Sequence, residues 1–233
     1  MIPAEAELCD PIHEHASHPQ PPPGSRRTSL GRHPELLGFL ALLILLNYPV
    51  FAGSCFSSLI FEPEAVRDGQ WWRLFSHPFV HLTWYHLLLD GTAFLALYYS
   101  LEEVKALRRL AYVFAGAAGS LFVSYVSAPM TQVTSLCGLS GIAHGLMAVS
   151  ALEMMAHQPR HSAEYRVSLI GFILVISKAA FEALTGRMFF AFLDFGLLGN
   201  PVAVSHAGGI IGALCAMLCW AQLESQSWHL RTD

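Results

Sequence analysis

The sequence predicts an all-α membrane protein, a bundle of six transmembrane helices, and three observations carry that reading. Only 13% of the 233 residues are charged, 54% are hydrophobic and the mean hydropathy is +0.45, whereas an ordinary soluble domain carries ~25% charged residues. Apolar blocks at 36–53, 79–101, 110–127, 138–156, 167–185 and 201–222 each approach the ~20 residues a helix needs to cross a ~30 Å hydrocarbon core. None alternates with the period of two of a barrel strand, and in lipid only helices and closed barrels satisfy every backbone N–H and C=O.

Residues 1–33 have another composition. Pro19, Pro21, Pro22 and Pro23 stand among His13, His15, Ser17, His18, Ser25 and Arg26 without apolar periodicity, which reads as a disordered cytoplasmic tail. The tail lacks the apolar stretch of a signal peptide, so the first block is expected to stay as an anchor. Its sparse histidines read as solvated. Charged residues then separate the blocks: Glu62, Glu64, Arg67 and Asp68 between the first and second, Glu102, Glu103, Lys105, Arg108 and Arg109 between the second and third, and Arg160, His161 and Glu164 between the fourth and fifth. The membrane domain is thus expected over 34–224, followed by a short cytoplasmic tail over 225–233.

Lysine and arginine orient the bundle. With the N-terminus in the cytoplasm, Arg26, Arg27, Arg32, Lys105, Arg108, Arg109, Arg160, Arg166 and Arg231 lie inside, against Arg67, Arg73 and Arg187 outside; this bias places both termini in the cytoplasm. The loop 54–76, with Trp71, Trp72 and Phe75, is then external, and its aromatics and Arg73 suit the interfacial layer.

Two function classes drop out early. A formal net charge of −4 gives no general attraction to nucleic acid. Cys9, Cys55, Cys137, Cys215 and Cys219 are odd in number and form no C-x-x-C pair, so neither a disulfide framework nor a zinc site is read from them. Cys215 and Cys219 read as packing, and Cys137 is set aside as a nucleophile.

Polar and ionisable groups inside apolar helices are costly and therefore point to function. Four clusters stand out: Gly138-Leu139-Ser140-Gly141 with His144 in the fourth block; Ser205-His206-Ala207-Gly208-Gly209 in the sixth; His77, His81, His86 and Asp90 around the start of the second; and Lys178 with Glu182 in the fifth. Blocks two, four and six all run inward from the outer face. Measured from their first residues, His86 is about 10 Å deep, His206 about 8 Å and Ser140 about 3 Å at 1.5 Å per residue, one shared layer within boundary error. Gly141 with Gly145 and Gly208 with Gly212 are small-xxx-small pairs that let helices approach closely, as a Ser140 to His206 hydrogen bond requires. Ser140 at a helix N-terminus meets free N–H groups, and His86 and Asp90, four residues apart, share a face that reaches the same spot. Lys178 precedes Glu182 by one turn, the weaker order for a helix pair; a buried structural pair and a contact to a substrate tail are the two readings.

Trp72-Arg73, then His81, His86 and position 90, then Gly138-Leu139-Ser140-Gly141, then His206-x-x-Gly209, in this order through six spans, resemble the rhomboid family of intramembrane serine proteases over residues 36–222. The resemblance implies a rhomboid-like bundle in which Ser140 is the nucleophile and His206 the general base of a dyad, with His86 in the oxyanion hole and His81 ordering the external loop. No cofactor and no metal are implied; the partners are the lipid bilayer and membrane-anchored protein substrates. Asp90 stands where most members have Asn, and His144 where many have a Tyr that packs on the catalytic histidine. Gly-Leu-Ser-Gly-x-x-His-Gly at 138–145 and Lys178-x-x-x-Glu182 before Leu184-Thr185-Gly186 are similar to the rhombosortase branch. That branch consists of bacterial enzymes associated with C-terminal sorting tails that carry a Gly-Gly motif, a membrane helix and a basic end, and the likeness implies a bacterial inner membrane with the site open to the outer side.

An ionised Asp90 would repel a developing oxyanion, so it is either protonated, as burial in low dielectric favours, or turned toward a histidine; pairing with His86 or His144, orienting that ring, is the expectation. Two other classes are weighed. A catalytically silent rhomboid-like protein that binds membrane clients would be marked by loss of Ser140 or His206, and both are present. A metal enzyme or transporter on His77, His81 and His86 lacks H-E-x-x-H, and Pro78 disturbs a His77–His81 pairing.

Overall fold

A computed structural model describes residues 33–131, 135–190, 192, 195 and 202–232. Each apolar block overlaps one long helix: α1 (Glu35–Asn47), α4 (Trp84–Ser100), α5 (Ala106–Thr131), α6 (Ser140–His157), α7 (Ala163–Thr185) and α8 (Val204–Thr232). Two short helices, α2 (Pro63–Arg67) and α3 (Arg73–Ser76), lie between α1 and α4. The described residues hold no strand beyond one isolated bridge between Phe61 and Leu136. By length and composition four segments are long and apolar enough to cross a membrane: Glu35–Ala52, Ala106–Ala128, Ala163–Thr185 and Val204–Gln226. The other two, α4 and α6, are 17 and 18 residues long. Helix α6 packs against α4, α5, α7 and α8, and a helix walled in by protein needs no continuous lipid-facing surface, so it has room for Ser150, Glu153 and His157.

Local chemistry explains the boundaries. Pro49 cannot donate to the α-ladder, and α1 gives way to a 3₁₀ turn over Tyr48–Ala52 that ends on Gly53 at φ 76°. Helix α4 starts five residues later than its apolar block because the Thr83 hydroxyl accepts the His86 N–H at 3.1 Å and fixes the first turn there. Ser162 caps α7 in the same way, accepting from the Tyr165 N–H at 3.0 Å, and Gly186 closes it in the left-handed conformation at φ 66°. No Gly or Pro stands between Ser225 and Thr232, and α8 continues through residues that composition assigned to a tail. The Pro- and His-rich segment 1–32 and Pro201 lie outside the described residues. His33, grouped with that tail by composition, is instead buried, with its ring edge-on to Tyr98 and Tyr99.

Glycines set the helix spacing. A methyl group on Gly209 of α8 would collide with the backbone carbonyl of Gly141 on α6, and one on Gly145 would meet the Gly209 carbonyl at 2.5 Å. Gly208 and Gly212 face the other way, onto Gly119 and Ala115 of α5. Thus α8 has two glycine faces, and the Gly208/Gly212 pair, expected against α6, grips α5 instead. Residues 208 and 209 are adjacent, and a 100° step per residue sends their Cα faces to different neighbours.

The segment before α4 is pinned by polar contacts. Arg73, expected at the lipid interface, is buried, donating to the Ser57 carbonyl and the Gln70 amide oxygen at 2.8 Å each; the aromatics Trp71, Trp72 and Phe75 beside it are exposed. Phe61 and Leu136 exchange two backbone hydrogen bonds of 3.0 Å, and the Gly138 N–H donates to the His77 carbonyl at 3.1 Å. This loop therefore braces the strand-like lead into α6. At the far end of the bundle Glu35 accepts from the Tyr98 hydroxyl and the Arg109 guanidinium, 2.7 Å each, tying α1, α4 and α5 together.

Two outcomes follow. Gly209→Ala destabilises the protein by roughly 1–3 kcal/mol or more, read as a lowered melting temperature in detergent, whereas Gly171→Ala on α7, where a methyl meets nothing within 4 Å, does not. Burial pushes the His77 imidazole down from 6.5 to about 4. The folded state therefore binds its proton later than the unfolded chain does, and His77 contributes stability above pH 6.5 that is lost as pH falls toward about 4; thermal unfolding across that range shows the decline, and His77→Gln flattens it.

Candidate active site

Three helices begin at one place. Ser140 is the first residue of α6, His86 the third of α4 and His206 the third of α8. The depth counts made from block edges thus shrink to one common layer, the first turn of each helix, because α4 and α8 start later than their apolar blocks. Gly138, at φ 97°, leads into α6, and a methyl there would lie 2.8 Å from both His86 Nε2 and Asp90 Oδ2. Only a glycine lets the His86 ring come this near the chain that carries Ser140.

The His206 side is a closed polar chain. His144, one turn after Ser140, has Nδ1 2.7 Å from the Ser140 carbonyl oxygen, so Nδ1–H donates and Nε2 is an acceptor. Nε2 lies 2.8 Å from the Lys178 ammonium. Lys178 also donates to Glu182, 2.8 and 2.9 Å to its two oxygens, and Glu182 Oε2 is 2.6 Å from His206 Nδ1. The His144 and His206 rings stack at 3.9 Å between centroids and 11° between planes. His206 is thereby held beside the first turn of α6, where the Ser205 carbonyl comes within 3.0 Å of where a Gly141 methyl would be. His206 is 3% exposed and Glu182 0%.

Asp90 belongs to the other half of the site. Its Oδ2 is 3.2 Å from His86 Nε2 and 3.7 Å from His81 Nε2, whereas His144 is taken up by Ser140 and Lys178. Of the two partners expected for Asp90, His86 is the one found. Before α4, His77 opens a 3₁₀ turn over His77–Phe79 and His81 lies on irregular chain. The His81 N–H donates to the Asn47 side-chain oxygen at 2.8 Å, and its ring Nδ1 lies 3.1 Å from the same atom, which ties this segment to the end of α1. His77 Nδ1 lies 3.1 Å from the Arg73 carbonyl oxygen, and neither His77 nor His81 belongs to the one group of three ligand-type residues found among the described residues.

A hydroxyl at a helix N-terminus, an imidazole whose Nδ1 is engaged by a carboxylate, and a second imidazole across from it are the parts that acyl transfer uses. His144, Glu182 and His206 also bring ligand-type atoms within 4.8 Å of one another, but the Lys178 ammonium already bonds two of the three. Burial pushes the Cys137 thiol up to about 12, which leaves it protonated and a poor nucleophile.

A sequence model of the family described as the Rhomboid domain matches residues 68–223, well over half of the chain. The chain belongs to the rhomboid family. Members of this family are generally intramembrane serine proteases, and the apolar helices and rhomboid domain make this a membrane protein. No curated protein and no solved structure gives a significant match to this rhomboid chain.

Sequence reasoning singled out Lys178 and Glu182 but missed that Glu182 reaches His206. The available signal was a buried carboxylate in a span with no helical reason to carry one. The contact at Asp90 yields an expected outcome: Asp90→Asn folds as the parent does, within a few degrees in melting temperature, and changes the shape of the pH–activity profile. An unaltered profile would show that the carboxylate does not govern His86.

Proposed function

We propose that the protein is an intramembrane serine endopeptidase that cleaves membrane-anchored proteins with a Ser140–His206 dyad. One observation carries the reading: Ser140, His86 and His206 stand in the first turns of α6, α4 and α8, and both α4 and α8 pack against α6. Ser140 Oγ attacks the scissile carbonyl while His206 Nε2 takes its proton. The tetrahedral oxyanion is held by N–H groups at the start of α6 and by His86. Collapse breaks the C–N bond, His206 returns the proton to the leaving amine, and water releases the acyl group by the same steps in reverse order.

Six spans, both termini in the cytoplasm and a site open to the outer side of a bacterial inner membrane complete the proposal, supported by the charge bias along the chain. The substrate class is a C-terminal sorting tail with a Gly-Gly motif, a membrane helix and a basic end, on the strength of the rhombosortase-like residues at 138–145 and 178–186.

The test is labelling of detergent-purified protein by a fluorophosphonate. The parent labels; Ser140→Ala and His206→Ala do not, and equal labelling of all three overturns the proposal. His86→Ala retains the dyad but loses about 10²–10³-fold in kcat, measured on a fusion substrate carrying such a tail. Cleavage that survives replacement of both tail glycines removes the rhombosortase-type specificity and leaves the protease.

A further inference from the structure

We infer that Glu182 is a positioning residue for His206, so that the dyad works as a serine–histidine–glutamate triad whose third member comes from α7. The inference rests on the protease reading above and adds a residue to it. Glu182 is fully buried, and both of its oxygens are committed. Oε1 accepts the Phe189 N–H at 2.9 Å and the Lys178 ammonium at 2.8 Å, while Oε2 accepts from Lys178 at 2.9 Å and faces His206 Nδ1 at 2.6 Å. A carboxylate held by an ammonium and a backbone N–H is an acceptor only. His206 Nδ1 must therefore carry the hydrogen, and Nε2 is left as the basic nitrogen.

The arrangement does three things in sequence. It fixes the tautomer that accepts the Ser140 proton. It fixes the ring plane, because the Nδ1 contact and the His144 ring, 3.9 Å away and nearly parallel, act on His206 from two directions. When Nε2 takes the proton, the imidazolium forms against a carboxylate already in place; the Nδ1 hydrogen stays on the ring and Glu182 stays ionised. Lys178 offsets the charge of Glu182 before the reaction and reaches across to His144, whose Nδ1–H holds the carbonyl of the nucleophile's own residue at 2.7 Å. Both ends of the dyad thus hang on one chain of hydrogen bonds, from Ser140 through His144, Lys178 and Glu182 to His206.

A purely structural ion pair between Lys178 and Glu182 predicts something different. Its loss would lower stability and leave turnover per folded molecule unchanged. The triad predicts that Glu182→Gln lowers kcat by about 10²–10⁴-fold with KM within twofold, and that Glu182→Asp recovers part of the loss. A kcat within threefold of the parent in Glu182→Gln overturns the inference. The second readout needs no variant at Glu182: in Ser140→Ala protein labelled with ¹⁵N-histidine, His206 shows the Nδ1–H tautomer at neutral pH, and an Nε2–H tautomer overturns the inference. A parent protein inert to fluorophosphonate and to substrate would sink the protease reading instead, whereas the tautomer measurement answers for Glu182 alone.

Discussion

The contact between the backbones of α6 and α8 is the constraint from which the rest of the site follows. At Gly145 and Gly209 the two helices leave no room for a methyl group, and one on Gly141 would meet Ser120 of α5. In lipid there is little hydrophobic gain from bringing apolar helices together, so close packing of small residues has to supply the attraction. The same closeness has a chemical consequence. A serine side chain is two bonds long and an imidazole is rigid, so the proposed proton transfer between Ser140 and His206 requires helices that approach this closely.

The second constraint is electrostatic. A carboxylate and an ammonium in a membrane helix are costly unless each is paired and hydrogen-bonded. Glu182 and Lys178 are paired with each other and bonded onward to His206 and His144, so α6, α7 and α8 are joined by a network with its donors and acceptors matched. Asp90 sits in a separate cluster with His81 and His86, beside Gly138. The site therefore has one half built on α7 and α8, with Lys178, Glu182 and His206, and another built on α4, with His86 and Asp90, and the start of α6 lies between them.

Much of this could be read from the chain alone. The six apolar blocks found their helices because hydropathy and interrupting charges are local properties, and the Ser140, His86 and His206 clusters stood out because polar groups are rare in such blocks. Helix starts were less legible: Thr83 moved the start of α4 to Trp84 through a single side-chain hydrogen bond. Arg73 looked like an interfacial cation and proved to be an internal brace, because its acceptors, the carbonyls of the preceding loop, carry no signature in the sequence.

Composition and spacing by themselves determined that the chain enters a membrane as helices and which polar residues are out of place there, since both depend on transfer energies that each residue carries with it. Which of those residues meet was decided only by the tertiary structure. Gly208 and Gly209 are neighbours in sequence, yet one faces α5 and the other α6. Glu182 lies 24 residues from His206, yet its carboxylate is 2.6 Å from that ring. Partnership across helices depends on their rotation about their own axes, and that is set by packing of the whole bundle rather than by any one segment.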